Sequence, residues 1–177
     1  MHMREVVVLT VAMAWPLTVL AAGPPKTCQP DVSQSARLEQ AQQAYRPGES
    51  GESVRLWDAL LRDSADGPAC RTVEIAWRIG EFLKVQKTES PELALRFLNR
   101  GIAAHVKGKP AEDWSLGKVL KTTGHFFRRQ RDMESACKSL SAAWRIFSTL
   151  EGAAAARDQT RAELALNGCP MPSLPSP

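Results

Sequence analysis

Few side chains in this sequence are arranged in a pattern that supports catalysis. Two histidines, His105 and His125, follow the N-terminal apolar segment, and neither belongs to a metal-binding H-x-x-x-H or H-E-x-x-H pattern. No nucleophile elbow, phosphate-binding loop or dinucleotide fingerprint occurs. Three glutamates could serve as a hydrolytic acid, but nothing in the sequence distinguishes them: Glu74, Glu81 and Glu134. The sequence therefore predicts a protein without catalytic activity, without a cofactor and without a bound metal.

The cysteines suggest a structural role. There are four, an even number, and all lie beyond the first 22 residues: Cys28, Cys70, Cys137 and Cys169. No two are close enough for a C-x-x-C zinc motif, and no histidine is near any of them. An even cysteine count in an exported chain is typical of disulfides, with free buried thiols as the alternative. We expect two disulfides.

The N-terminus has the features of a secretory signal. A short basic start precedes an apolar stretch from Val6 to Leu20, and the small residues Ala21, Ala22 and Gly23 follow. This stretch is too short to span a bilayer comfortably, which favours a cleaved signal peptide over an uncleaved anchor. We therefore predict a signal peptide at residues 1–22 and a periplasmic or secreted protein that contacts a membrane only if the signal is retained.

Composition predicts one ordinary globular domain. Hydrophobic residues make up 44% and charged residues 24% of the 177-residue chain, enough apolar material for a core. The formal net charge of +4 is a mild basic bias that favours an acidic partner only weakly. Together with the expected export, this argues against a nucleic-acid partner.

The pattern beyond Cys28 is helical almost throughout, which predicts an all-α fold. Apolar residues recur at helical spacing, and proline and glycine interrupt the chain at helix-length intervals. Ser90 and Asp132 are expected to cap helices, and Pro91 suits a first helical position. Seven helices are predicted: five at about 33–46, 52–62, 71–86, 111–129 and 153–166, a fourth in chain order that begins at Pro91, and a sixth capped by Asp132. A linker at 23–32 precedes the domain, 33–168, and a Pro-rich tail, 169–177, follows it.

One stretch resembles a known repeat. From Leu120 to Phe127 the sequence reads L-x-x-T-G-x-x-F, and Ala136, Leu140 and Ala143 follow. This is similar to the tetratricopeptide (TPR) pattern, in which small residues allow two antiparallel helices to approach closely. Weaker copies precede it: one joins 76–83 to 94–101, and another covers 33–62. The resemblance implies about three antiparallel hairpins and a C-terminal capping helix; the alternative is a generic helical bundle.

The resemblance also implies a cysteine pairing. In stacked hairpins the first helices of neighbouring repeats run side by side and parallel. Cys28 and Cys70 precede two such helices, and the start of the sixth helix should lie near the end of the antiparallel seventh. The expected disulfides are therefore Cys28–Cys70 and Cys137–Cys169.

The first helix of each hairpin lines a concave groove in TPR-like arrays. Carried over from the motif, the groove-facing positions form a candidate partner-binding set: Trp77, Lys84, Lys118, Lys121, His125, Arg128 and Arg129. Most of the basic members are three or four residues apart on one helix, so many can share a side. Such a groove could bind an acidic peptide or a terminal carboxylate; the alternative is a solvated face that maintains solubility.

The functional expectation is an exported protein–protein interaction module whose partner is a protein or peptide. The alternative is a periplasmic immunity or inhibitor protein that neutralises one exported toxin or hydrolase. Small, disulfide-bonded, exported helical domains suit either role.

Overall fold

A computed structural model describes residues 28–86, 91–109 and 114–173. Within these ranges the chain forms seven α-helices and no strand, which confirms the all-α class. The helices are α1 (Val32–Gln43), α2 (Gly51–Asp63), α3 (Ala69–Val85), α4 (Pro91–Gly108), α5 (Trp114–Arg129), α6 (Met133–Thr149) and α7 (Ala154–Leu166). The predicted signal peptide and the Ser90 cap lie outside the described residues.

The helix starts follow from local side-chain chemistry. Asp31 accepts a hydrogen bond from the Gln34 backbone N–H at 2.9 Å, and the Gln34 side chain accepts one from the Asp31 N–H at 3.1 Å. This capping box starts α1 one residue earlier than predicted. Asp132 caps α6, as predicted, by accepting from the Ser135 N–H at 3.0 Å. Pro91 is the first residue of α4, also as predicted.

The end of α1 differs from the prediction. The helix ends at Gln43 rather than near Arg46, because the Arg46 guanidinium turns back and donates to the carbonyls of Gln43 and Tyr45 at 2.7 and 2.8 Å. These bonds satisfy carbonyls at the helix end. Beyond this helix end, the Tyr45 ring packs edge-on against Phe82 of α3, with the ring centroids 5.3 Å apart.

Consecutive helices pack in pairs, α1 with α2, α3 with α4 and α5 with α6, and α7 packs on α6. Helix α3 also packs on α5, so the first helices of the second and third pairs are neighbours. The assignment of this arrangement to the TPR family stays a prediction. No helix in the described ranges is both long and apolar enough to cross a bilayer.

Glycines set the close approach within two of the pairs. A Cβ atom on Gly80 of α3 would lie 2.6 Å from Leu98 Cδ2 of α4, and one on Gly124 of α5 would lie 2.8 Å from Leu140 Cγ of α6. Both distances are shorter than van der Waals contact, so a larger residue would force the helices apart. Ala136 and Ala143, also expected at this seam, are fully buried.

Both predicted disulfides are present. Cys28 joins Cys70 at the start of α3, with Cα atoms 5.1 Å apart. Cys137 of α6 joins Cys169, just beyond α7, with Cα atoms 5.4 Å apart. The first connects the N-terminal segment to the second helix pair, and the second holds the end of α7 against α6. Two disulfides are consistent with an oxidising compartment outside the cytoplasm.

Candidate functional site

Helices α3, α5 and α7 enclose a cavity of about 310 Å³, which we call the groove. Phe147 of α6 completes its lining. Apolar side chains line one part of this cavity, and polar side chains line another. The helices α3, α5 and α7 supply Trp77, Glu81, Lys84, Trp114, Lys118, Lys121, Thr122, His125, Ala156, Gln159 and Glu163.

The structure brings five of the seven predicted binding residues together in the groove: Trp77, Lys84, Lys118, Lys121 and His125. Arg128 lines a second, adjoining cavity of about 200 Å³ that shares His125 and Glu163 with the groove. Arg129 lines neither cavity; its guanidinium carbon lies 5.6 Å from the Phe126 ring centroid. Successive residues of an α-helix point in directions about 100° apart, so Arg128 and Arg129 face different sides of α5.

Lys118 is held inside the groove wall by two neighbours on α3. Its Nζ lies 2.7 Å from Glu74 Oε2 and 3.4 Å from the centroid of the Trp77 ring, and its side chain is only 16% exposed. Glu74 is 1% exposed and also accepts from Ser115 Oγ at 3.1 Å and Arg78 Nε at 3.3 Å. Lys118 therefore positions the Trp77 indole, and moving it would remove one of the two cations that neutralise the buried Glu74 carboxylate.

The other two groove lysines are also paired. Lys84 pairs with Glu81 one turn earlier on α3, and Glu81 accepts a second hydrogen bond from Thr122 Oγ1 of α5 at 2.6 Å. Lys121 Nζ lies 3.2 Å from Glu163 Oε1, which joins α5 to α7. The groove lysines are therefore held in ion pairs, two between helices and one within α3, and do not form a continuous basic surface.

His125 lies where the two cavities meet. Burial, and after it the positive charges of Arg128, Lys84 and Arg129, together lower the pKa of its ring from 6.5 to about 4, against a smaller opposing effect of Glu81. The ring is therefore neutral at pH 7. Arg128 Nη2 lies 3.2 Å from His125 Nδ1, and a guanidinium can only donate, so Nδ1 accepts and the proton resides on Nε2.

The glutamates considered as acids have structural surroundings. Glu74 and Glu81 are occupied by the contacts described above. Glu134 pairs with Lys138 at 2.6 Å on the exposed face of α6, outside the groove lining. No group of three or more potential metal ligands is close enough to hold an ion within the described part of the chain.

Sequence reasoning missed two contributions to the groove. Trp114, which the predicted binding set does not include, lines the cavity and meets Phe147 edge-on, with ring centroids 5.5 Å apart. Helix α7 supplies Ala156, Gln159 and Glu163, although it was expected only as a cap. The hairpin pattern held a signal for this, because α7 follows α5 and α6 as the first helix of a next pair would.

The groove therefore combines aromatic side chains, neutral hydrogen-bonding groups and lysines that are paired with glutamates. No protein-family model, curated protein or solved structure matches this chain.

Proposed function

We propose that this chain is an exported, non-catalytic protein–protein interaction module that binds a peptide segment of its partner in the groove. The observation that supports it most is the cavity between α3, α5 and α7, which combines the indoles of Trp77 and Trp114 with polar side chains held by ion pairs. Rigid, pre-positioned side chains reduce the entropy lost on binding. The signal-like N-terminus and the two disulfides support an exported location.

The balance of charge in the groove bears on how a partner is held. Lys84, Lys118 and Lys121 each have a glutamate partner, so attraction of an acidic segment by three unpaired lysines does not operate. Apolar contact with the tryptophans must supply part of the binding free energy. The role of immunity or inhibitor protein stays a prediction that no feature of the groove favours over an adaptor.

The test is a selection of groove ligands from a random-peptide library on the oxidised protein comprising residues 23–177. Two variants provide the comparison: Gln159→Trp places a large ring at the groove wall, and Gln40→Trp makes the same exchange at an exposed position of α1. Selected peptides are expected to shift the indole N–H signals of Trp77 and Trp114 in ¹⁵N NMR spectra. Binding should weaken at least tenfold in Gln159→Trp and remain unchanged in Gln40→Trp.

Selected peptides that leave both indole signals unmoved, and bind Gln159→Trp as tightly as the parent protein, would contradict the proposal. Binding would then use another face of the molecule. Circular dichroism of both variants checks that the helices are retained.

A further inference from the structure

The two ends of the groove differ in chemistry. Trp77 is next to Lys118, and Glu81 is next to Thr122, so a step of four residues on α3 matches a step of four on α5. The two helices are therefore parallel. The end of the groove near the start of α5 is mostly apolar, with Trp77, Trp114, Phe147 and Ala156 around the paired Lys118. The end near its C-terminus is polar.

Together with the second cavity that adjoins it, the polar end carries one positive charge that no carboxylate of the described residues pairs with. Its charged groups are Glu81 and Lys84 from α3, Lys121 and Arg128 from α5, and Glu163 from α7; α6 contributes the apolar Leu140. The lysines are neutralised by Glu81 and Glu163. Arg128 is exposed, and no carboxylate among the described residues pairs with it. Its contact is with the neutral His125 ring.

The distance between the ends sets the length of the ligand. Trp114 and His125 are separated along α5 by about 16 Å at the α-helical rise. An extended peptide covers this distance in about five residues. A ligand can therefore reach both ends at once only if its two anchoring side chains are about four to six residues apart.

We infer that the groove recognises an extended segment carrying an apolar side chain and, about five residues away, an acidic side chain. This rests on the proposed function and specifies its ligand. Trp77, Trp114 and Phe147 surround the apolar side chain, and Arg128 binds the carboxylate. His125 and Asn167 line the same cavity as Arg128 and are neutral groups that can donate to the carboxylate, although the Asn167 amide also donates to the Glu163 carbonyl. Because Arg128 is the one described cation at this end without a carboxylate partner, the site favours one acidic side chain over several consecutive acidic residues.

The experiment examines the peptides selected from the random library. A selected peptide and its aspartate-to-asparagine (or glutamate-to-glutamine) analogue are titrated into the oxidised parent protein, into Arg128→Gln and into Arg145→Gln. Arg145 is an exposed arginine of α6 that lies outside both cavities, so its variant removes the same charge elsewhere.

The selected peptides are expected to share the apolar and acidic pair at this spacing. Loss of the acidic charge should weaken binding about fivefold to the parent and to Arg145→Gln, and less than about twofold to Arg128→Gln, as for one charge-assisted hydrogen-bonded pair near the surface. Peptides that shift the Trp77 and Trp114 signals but show no acidic preference, or keep it in Arg128→Gln, would overturn this inference and leave the proposed function standing. Peptides that move neither signal would overturn both.

Discussion

The Nζ of Lys118 lies 3.4 Å from the centroid of the Trp77 ring, across the contact between α5 and α3. The same ammonium group is 2.7 Å from the buried carboxylate of Glu74. Lys118 thus positions the Trp77 indole in the groove, and the buried Glu74 in turn holds Lys118 in place. The residues that shape the groove therefore also join the helices, and altering them has consequences for stability.

Glu74→Gln should lower the free energy of unfolding by about 3 kcal/mol, because it leaves Lys118 without its carboxylate in a largely buried position. Urea denaturation of the oxidised protein measures this. Glu134→Gln is the matched control: Glu134 pairs with Lys138 but is 78% exposed, so the change should stay below about 0.5 kcal/mol. Equal losses of unfolding free energy in the two variants would show that the buried Glu74–Lys118 pair stabilises the protein no more than an exposed pair does.

Gly124→Ala should destabilise the protein by about 1–3 kcal/mol, since the added methyl group would lie 2.8 Å from Leu140 Cγ and force α5 from α6. Gly51→Ala makes the same exchange at the start of α2, where a Cβ meets nothing within 4 Å. That control should be neutral or stabilising by about 0.5 kcal/mol. Thermal unfolding of both variants provides the comparison, and a tolerated Gly124→Ala would contradict the close packing.

His125 should make stability depend on pH. Its pKa is about 4 in the folded protein and 6.5 at its ordinary value, so the unfolded chain binds more protons between these limits. Stability is therefore complete above pH 6.5 and is lost as the pH falls towards 4. His125→Gln should lose less stability over this range than the parent. Denaturation midpoints measured from pH 7 to 4 give the result; parallel curves for the parent and His125→Gln would refute it.

Replacing Cys137 and Cys169 with serine should free α7 selectively. This helix buries only Thr160 and Leu164 of its own, and the disulfide holds its end on α6. Amide hydrogen exchange in α7 should therefore accelerate more than in α3 or α4, and the overall loss of stability should be about 2–4 kcal/mol.

The matched control replaces Cys28 and Cys70, which close a loop of similar length: their sequence separation is 42 residues, against 32 for the C-terminal pair. Its loss should cost a similar amount but leave the relative protection of α7 unchanged. An equal acceleration of exchange in α7 after both replacements would mean that the C-terminal disulfide has no local role.

The sequence by itself determined the helices and some of their ends. Asp132 and Pro91 marked helix starts because capping and proline chemistry act within a few residues. The cysteine pairs also followed from the order of the helices, once stacked hairpins were assumed. Gly124, Ala136 and Ala143 marked a close helix contact for a steric reason that is local to each residue. These features depend on neighbours in the chain or on a simple topology, so a linear pattern contains them.

Only the tertiary structure decided the character of the groove. The sequence presented Lys118 and Lys121 as cations of an open basic face, but Glu74 is 44 residues before Lys118, and Glu163 of α7 pairs with Lys121. Which carboxylate neutralises which lysine depends on the rotation and separation of whole helices, and these are set by packing across the core. The same rotation directs Arg128 to the second cavity and Arg129 onto Phe126, a distinction of one residue that periodicity alone does not make.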